Sequence, residues 1–275
     1  MSMLLSVRRG SERFLPARWV SGYSSRSVRL GIALSYLALI TVAELVTTFV
    51  SPRAGLVLHS AILIVLLVHS ALTAGDPYHR LLLALVLAPL TRILSLCLPL
   101  VNFPQLYWYL IISIPLGVAT VLAARLLGFS RERIGLTVRR FPLQVLVALT
   151  GITFGILEYR ILRPDALIDE LTWRNVLVSG MILMTCTGFA EELIFRGIIQ
   201  RASVQALGRF GLLYGAILFA VLHIGYASLL DVVFVFLVAL LFGWIAEATW
   251  SLAGVTIAHG LTNIALFLVM PFWGR

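Results

Sequence analysis

Val176–Ile199 reads VLVSGMILMTCTGFAEELIFRGII. The run is longer than the about 20 mainly apolar residues that a membrane helix needs. It nevertheless holds two adjacent acids, Glu191 and Glu192, and one base, Arg196. An ionised carboxylate at the bilayer centre costs about 3 kcal/mol on insertion scales. Two in a row require compensation. Arg196 follows Glu192 at i+4 and so shares its helical face. Glu191 points about 100° away around the axis. The spacing therefore pairs Glu192 with Arg196 and leaves Glu191 free for chemistry.

The rest of the chain agrees with a membrane setting. Of 275 residues, 60% are hydrophobic and only 12% charged, against about 25% charged in soluble domains. No long polar block offers a separate soluble domain. The net charge is +9 and every basic residue is Arg. The arginines gather in gaps between apolar runs, as topology determinants do, which argues against nucleic acid as a partner. The expected partner on these grounds is membrane lipid.

Nine apolar segments stand out: 30–50, 55–73, 81–101, 106–127, 142–161, 175–200, 209–224, 229–247 and 251–270. The seventh is short. The expected fold is therefore an all-α, polytopic helical bundle of eight to nine transmembrane helices. Breakers separate the runs: Ser51-Pro52, Gly75-Asp76-Pro77, Asn102-Phe103-Pro104 and Arg163-Pro164-Asp165. With the N-terminus inside, fourteen arginines face inward and five outward. The positive-inside rule thus favours a multi-pass cell-membrane protein with a cytoplasmic N-terminus. Segment 1–29 is Arg-rich without a long apolar core, so 30–50 is expected as a retained span rather than a cleaved leader. Residues 125–141 are basic, with Phe129, Ile134, Leu136 and Val138 interleaved. They read as an amphipathic stretch on the inner surface.

Two later runs carry further polar groups, in Phe219-Ala220-Val221-Leu222-His223 and in His259-Gly260-Leu261-Thr262-Asn263. Phe219 and His223 share a helical face, as do His259 and Asn263. At 1.5 Å per residue, Glu191, His223, His259 and Asn263 lie roughly 12–21 Å from the inner ends of their spans. Four polar groups thus fall at similar depth.

These residues resemble the CAAX protease and bacteriocin-processing family of intramembrane peptidases, related to the Ras-converting CAAX endopeptidases. The family pattern is EExxxR, FxxxH and HxxxN on successive helices. Here it reads Glu191-Glu192-x-x-x-Arg196, Phe219-x-x-x-His223 and His259-x-x-x-Asn263. The resemblance covers 171–275, a catalytic core; 30–170 has no assigned role. It implies an endopeptidase whose partner is a membrane-associated peptide or protein substrate, prenylated tails among the options. By the same resemblance Glu191 is the general base that activates water, and His223 holds and polarises that water. His259 and Asn263 donate to the oxyanion, and Glu192 with Arg196 supports the first carboxylate. Phe219 walls the site. Fixed amide and imidazole donors suit developing negative charge. The residue types also allow a zinc site from Glu191, His223 and His259 with one open position, so the cofactor is either none or Zn. No HExxH helix is present.

Other polar residues read more plainly. Cys97 and Cys186 lie in apolar runs as small buried hydrophobes. His59, His69 and His79 read as packing or loop histidines. Glu44 and Arg92 fall at matching depths in the first and third spans and are expected to pair. Glu158, Asp165, Asp169 and Glu170 are expected in a solvated outer loop, and Asp231 and Glu247 at span ends. Two other function classes use similar residues. A proton-coupled transporter would show inverted repeats and broken paired helices, and neither is visible. A non-proteolytic immunity or scaffold protein would keep its phenotype without Glu191.

Overall fold

The computed structural model describes residues 25–97 and 104–273. Most of the Arg-rich 1–29 segment, the 98–103 breaker region and Arg275 lie outside them. The described residues form helices and no strand. Eight helices are long and apolar enough to cross a membrane: α1 (Arg26–Phe49), α2 (Pro52–Leu72), α3 (His79–Cys97), α4 (Gln105–Leu126), α5 (Phe141–Leu162), α6 (Trp173–Leu207), α8 (Leu229–Thr249) and α9 (Ala253–Trp273). Between α6 and α8 lies a shorter apolar helix, α7 (Phe210–Tyr226). The chain is thus an all-α polytopic membrane bundle.

Local chemistry sets the helix starts. Ser25, Ser51, Thr172 and Ser228 each accept a backbone N–H of the first turn, capping α1, α2, α6 and α8. Pro52 stands in the first turn of α2, where its missing N–H costs nothing. Within α3 the helix is interrupted at Val86, between Leu85 and Leu87. Pro89 explains this, because a proline ring clashes with the carbonyl four residues earlier, here Leu85. Large apolar side chains on the outside, such as Val57, Ile64, Ile114, Leu146 and Met181, are more than half exposed. On a soluble protein such a surface would aggregate; here it faces lipid.

Residues 127–140 form turns and not a helix. Gly128, Gly135 and Arg140 take left-handed φ values. The loop packs under α9, with Leu252 N donating to Gly135 O at 2.9 Å. Thr137 Oγ1 also donates to Trp250 O, and Ser251 Oγ to Thr137 O, across this contact. Phe129 and Ile134 are buried while Leu136 and Val138 are exposed, so the apolar residues of this stretch divide between the protein core and its surface.

The helices that carry the motifs pack through glycine. A Cβ at Gly151 or Gly155 of α5 would collide with the α9 backbone at Ala258 and Thr262. This Gly-x-x-x-Gly lets α5 and α9 meet backbone to backbone. A Cβ at Gly188 of α6 would stand 2.8 Å from Gly260 N of α9. The second crossing sits one residue from His259 and three from Glu191.

Candidate active site

Helix α6 spans 35 residues, about 50 Å at the α-helical rise, and it is not uniformly α-helical. Leu183–Phe189 and Leu193–Gln200 are π-helical, and Ala190–Glu192 between them is α-helical. A third π-helical stretch, Ala265–Val269, follows Asn263 in α9. Such widened turns recur at functional sites because they re-aim side chains. Here two of them flank the carboxylate pair.

Glu192 is fully buried and Arg196 nearly so. Arg196 Nη1 donates to Glu192 Oε1 at 2.9 Å, and His259 Nδ1 lies 2.9 Å from the same oxygen. The expected ion pair is present, and it has a third member that helical spacing within α6 did not reveal. The Arg196 guanidinium also covers the Phe219 ring at 4.3 Å. Glu191 is 29% exposed, and its Oε2 lies 3.9 Å from His259 Nε2. His259 therefore stands between the two carboxylates, bonded to Glu192 and beyond hydrogen-bond reach of Glu191.

His223 follows the last α-helical turn of α7, Phe210–Val221. Its Nδ1 lies 2.9 Å from Phe219 O. A carbonyl only accepts, so Nδ1 carries the proton and Nε2 the lone pair. The ring thereby satisfies a helix C-terminal carbonyl. Phe219 packs against His223 at 4.8 Å and edge-on to His259 at 6.1 Å between ring centroids. Asn263 Nδ2 donates to Thr187 Oγ1 at 2.8 Å, and Thr187 donates in turn to Leu183 O at 2.5 Å. Because the Thr187 proton is committed, its oxygen must accept, which fixes the Asn263 amide and leaves it one further N–H.

These groups converge on one cavity of about 40 Å³, lined by Glu192, Arg196, Phe219, His223, His259 and Asn263 among others. A cavity needs ~10–15 Å³ per water on this measure, so it admits a few water-sized groups. Glu191 is not part of its wall. Glu158 and Thr262 are, along with apolar side chains of α8.

Several residues differ from the expectation. Glu158 belongs to α5, not to an outer loop, and is 7% exposed. It lies three residues past Gly155 and seven past Gly151, on the stripe that packs against α9. Asp231 does mark a span end, in the first turn of α8, but it is fully buried there. Arg201 and Glu247 form a cross-helix pair at 2.6 Å. Cys97 is exposed on the protein surface and Cys186 partly so. Thr187 and Glu158 are the site residues the motifs did not name. Arg92 and Glu44 do pair, Nε donating to Oε1 at 2.5 Å, with His59 Nε2 at 3.1 Å from the same oxygen.

A zinc centre needs three convergent ligands. Among the described residues no three His, Cys, Asp or Glu side chains are grouped to hold a metal. His259 engages Glu192 and His223 a carbonyl through Nδ1, which leaves each Nε2 open, as in imidazoles that bind a metal.

Residues 173–265 match the family model described as type II CAAX prenyl endopeptidase Rce1-like. No curated protein and no solved structure matches the chain. The matched segment opens at the first residue of α6 and ends two residues past Asn263, so it contains all three motifs. The chain is therefore similar to type II CAAX prenyl endopeptidases of the Rce1-like kind through this C-terminal core.

Proposed function

We propose that this chain is an intramembrane endopeptidase that hydrolyses a peptide bond in a membrane-seated substrate with a water activated by Glu191. The observation that carries this reading is the division of labour between the two carboxylates. Glu192 is committed to Arg196 and His259, whereas Glu191 has no hydrogen bond among the described residues and lies 3.9 Å from His259 Nε2. In this mechanism Glu191 takes a proton from water. The hydroxide oxygen adds to the scissile carbonyl carbon, and the carbonyl oxygen becomes an oxyanion. The free Asn263 N–H donates to it, as does His259 Nε2 when the ring carries both protons. His223 Nε2 accepts from the water and holds it. The C–N bond then breaks and Glu191 returns its proton to the leaving amine.

An apolar groove of about 450 Å³ supports a lipid-modified substrate. Its walls include Leu136, Val138, Phe189, Leu252 and Ile257, and Phe189 is two residues from Glu191. That volume falls within the range of about 300–1,000 Å³ common for small-molecule sites. The arginine distribution supports a cytoplasmic N-terminus, with this groove and its basic loop on the inner side.

The test is single-turnover cleavage of a lipid-anchored peptide library by purified wild type and Glu191→Gln, with and without chelator. Cleavage by wild type that is lost in the variant, and is indifferent to chelator, is the expected result. Equal cleavage by both would remove Glu191 from the chemistry. Chelator inhibition reversed by zinc would overturn the metal-free mechanism.

A further inference from the structure

Glu158 is 7% exposed, lines the cavity and makes no hydrogen bond or ion pair with another described residue. Asp231 is fully buried, and neither of its carboxylate oxygens has a partner among them. It lies three and four residues before Phe234 and Val235, which line the same cavity, so it continues that face of α8. Glu158 lies within electrostatic reach of Asp231, and also of His259 and Glu191. The mechanism above uses neither.

Buried carboxylates in a membrane ordinarily find a cation. Here the neighbouring cations are taken: Arg196 by Glu192, Arg92 by Glu44, and His259 by Glu192. A proton would cancel one charge but leave most of the oxygens without donors. A primary ammonium supplies a positive charge and three donors at once. Its size suits a cavity of about 40 Å³ better than a planar guanidinium does. Phe219, Phe234 and Phe242 also line that cavity, and aromatic faces attract cations.

We propose that Glu158, backed by Asp231, is a subsite of this cavity that receives a primary ammonium group of the substrate, either a lysine side chain or a free peptide amine. This rests on the peptidase reading only in naming the ligand a substrate. Glu158 is then a specificity residue supplied by α5, outside the segment that matches the family.

The experiment measures binding and cleavage separately. Lipid-anchored fluorescent peptides carry a single lysine or its neutral isostere norleucine at each position in turn. Each peptide is made with a free or an acetylated N-terminus. Dissociation constants and cleavage rates are taken in nanodiscs for wild type, Glu158→Gln, Glu158→Asp and Asp231→Asn. At one register the lysine peptide, or else the free-amine peptide, binds wild type about tenfold more tightly, as a charge-assisted bond gives. That preference falls toward unity in Glu158→Gln and Asp231→Asn and survives in part in Glu158→Asp. No ammonium preference at any register in wild type overturns the subsite, as does a preference that persists in both neutral variants. Cleavage without preference would sink the subsite and leave the peptidase. Preference without cleavage of any peptide would sink the peptidase and leave the subsite.

Discussion

His259 Nδ1 and Glu192 Oε1 lie 2.9 Å apart, although 67 residues separate them in the chain, and Arg196 shares that oxygen. One buried carboxylate therefore fixes both the helix that carries the acids and the imidazole opposite. Removing one member of a buried ion pair strands the other and costs about 3–5 kcal/mol. Glu192→Gln is thus expected to lower the unfolding temperature in detergent sharply. Glu191 is partly exposed and has no hydrogen bond among the described residues, so Glu191→Gln should leave that temperature nearly unchanged while abolishing cleavage. Thermal unfolding of the two variants side by side checks this. Equal melting temperatures would show that Glu192 does not organise the site.

The crossing of α6 and α9 makes a second prediction. A Cβ on Gly188 meets Gly260 N at 2.8 Å and Thr256 O at 2.9 Å, both backbone atoms that cannot rotate away. Gly188→Ala should cost about 1–3 kcal/mol, as overpacking does, and should lower cleavage by moving Glu191 relative to His259. The control is Gly117→Ala in α4, where no atom lies within 4 Å. There a helix-interior alanine should be neutral or stabilising by about 0.5–1 kcal/mol. If both variants melt and cleave like wild type, the close approach is not what sets the geometry.

Much of this site was legible in sequence because its chemistry is punctuated by charge. Acids and histidines in apolar runs stand out, and i+4 spacing paired Glu192 with Arg196 correctly. Pairing across helices was legible only where depth alone decided it, as for Glu44 and Arg92. It failed for Glu192 with His259 and for Arg201 with Glu247, because spacing within one helix says nothing about rotation against another. Glu158 was misread for a simpler reason. It sits one turn before Leu162, beside Arg160 and Arg163-Pro164, so its surroundings look like a loop. The signal that it is buried was its phase with Gly151 and Gly155. The π-helical turns around Glu191 have no residue signature.

The Glu44–Arg92 pair links α1 to α3, and Arg92 lies beside the turn that follows His223, with Nη2 3.6 Å from where a Cβ on Gly225 would stand. Each single neutralisation, Glu44→Gln or Arg92→Gln, should destabilise the fold. Removing both should cost less than their sum, with a coupling of about 0.5–3 kcal/mol, as residues in direct contact show. Additive losses in a double-mutant cycle would mean that the two side chains act independently, despite their contact.

Asn263 and Thr187 make the last prediction, and it separates chemistry from structure. Thr187 accepts from the Asn263 amide and so aims the remaining N–H. Removing a donor to an oxyanion typically costs about 10²–10³ in kcat, so Asn263→Ala should fall in that range with KM little changed. Thr187→Val keeps the shape but removes the acceptor. It should lose two hydrogen bonds, to Asn263 and to Leu183 O, each about 0.5–1.5 kcal/mol of stability, and lower kcat by a smaller factor because the amide can turn. Thr187→Ser keeps the oxygen and should restore most of the rate. A purely structural role would move stability and leave kcat in place. Asn263→Ala cleaving at the wild-type rate would therefore remove this side chain from the transition state.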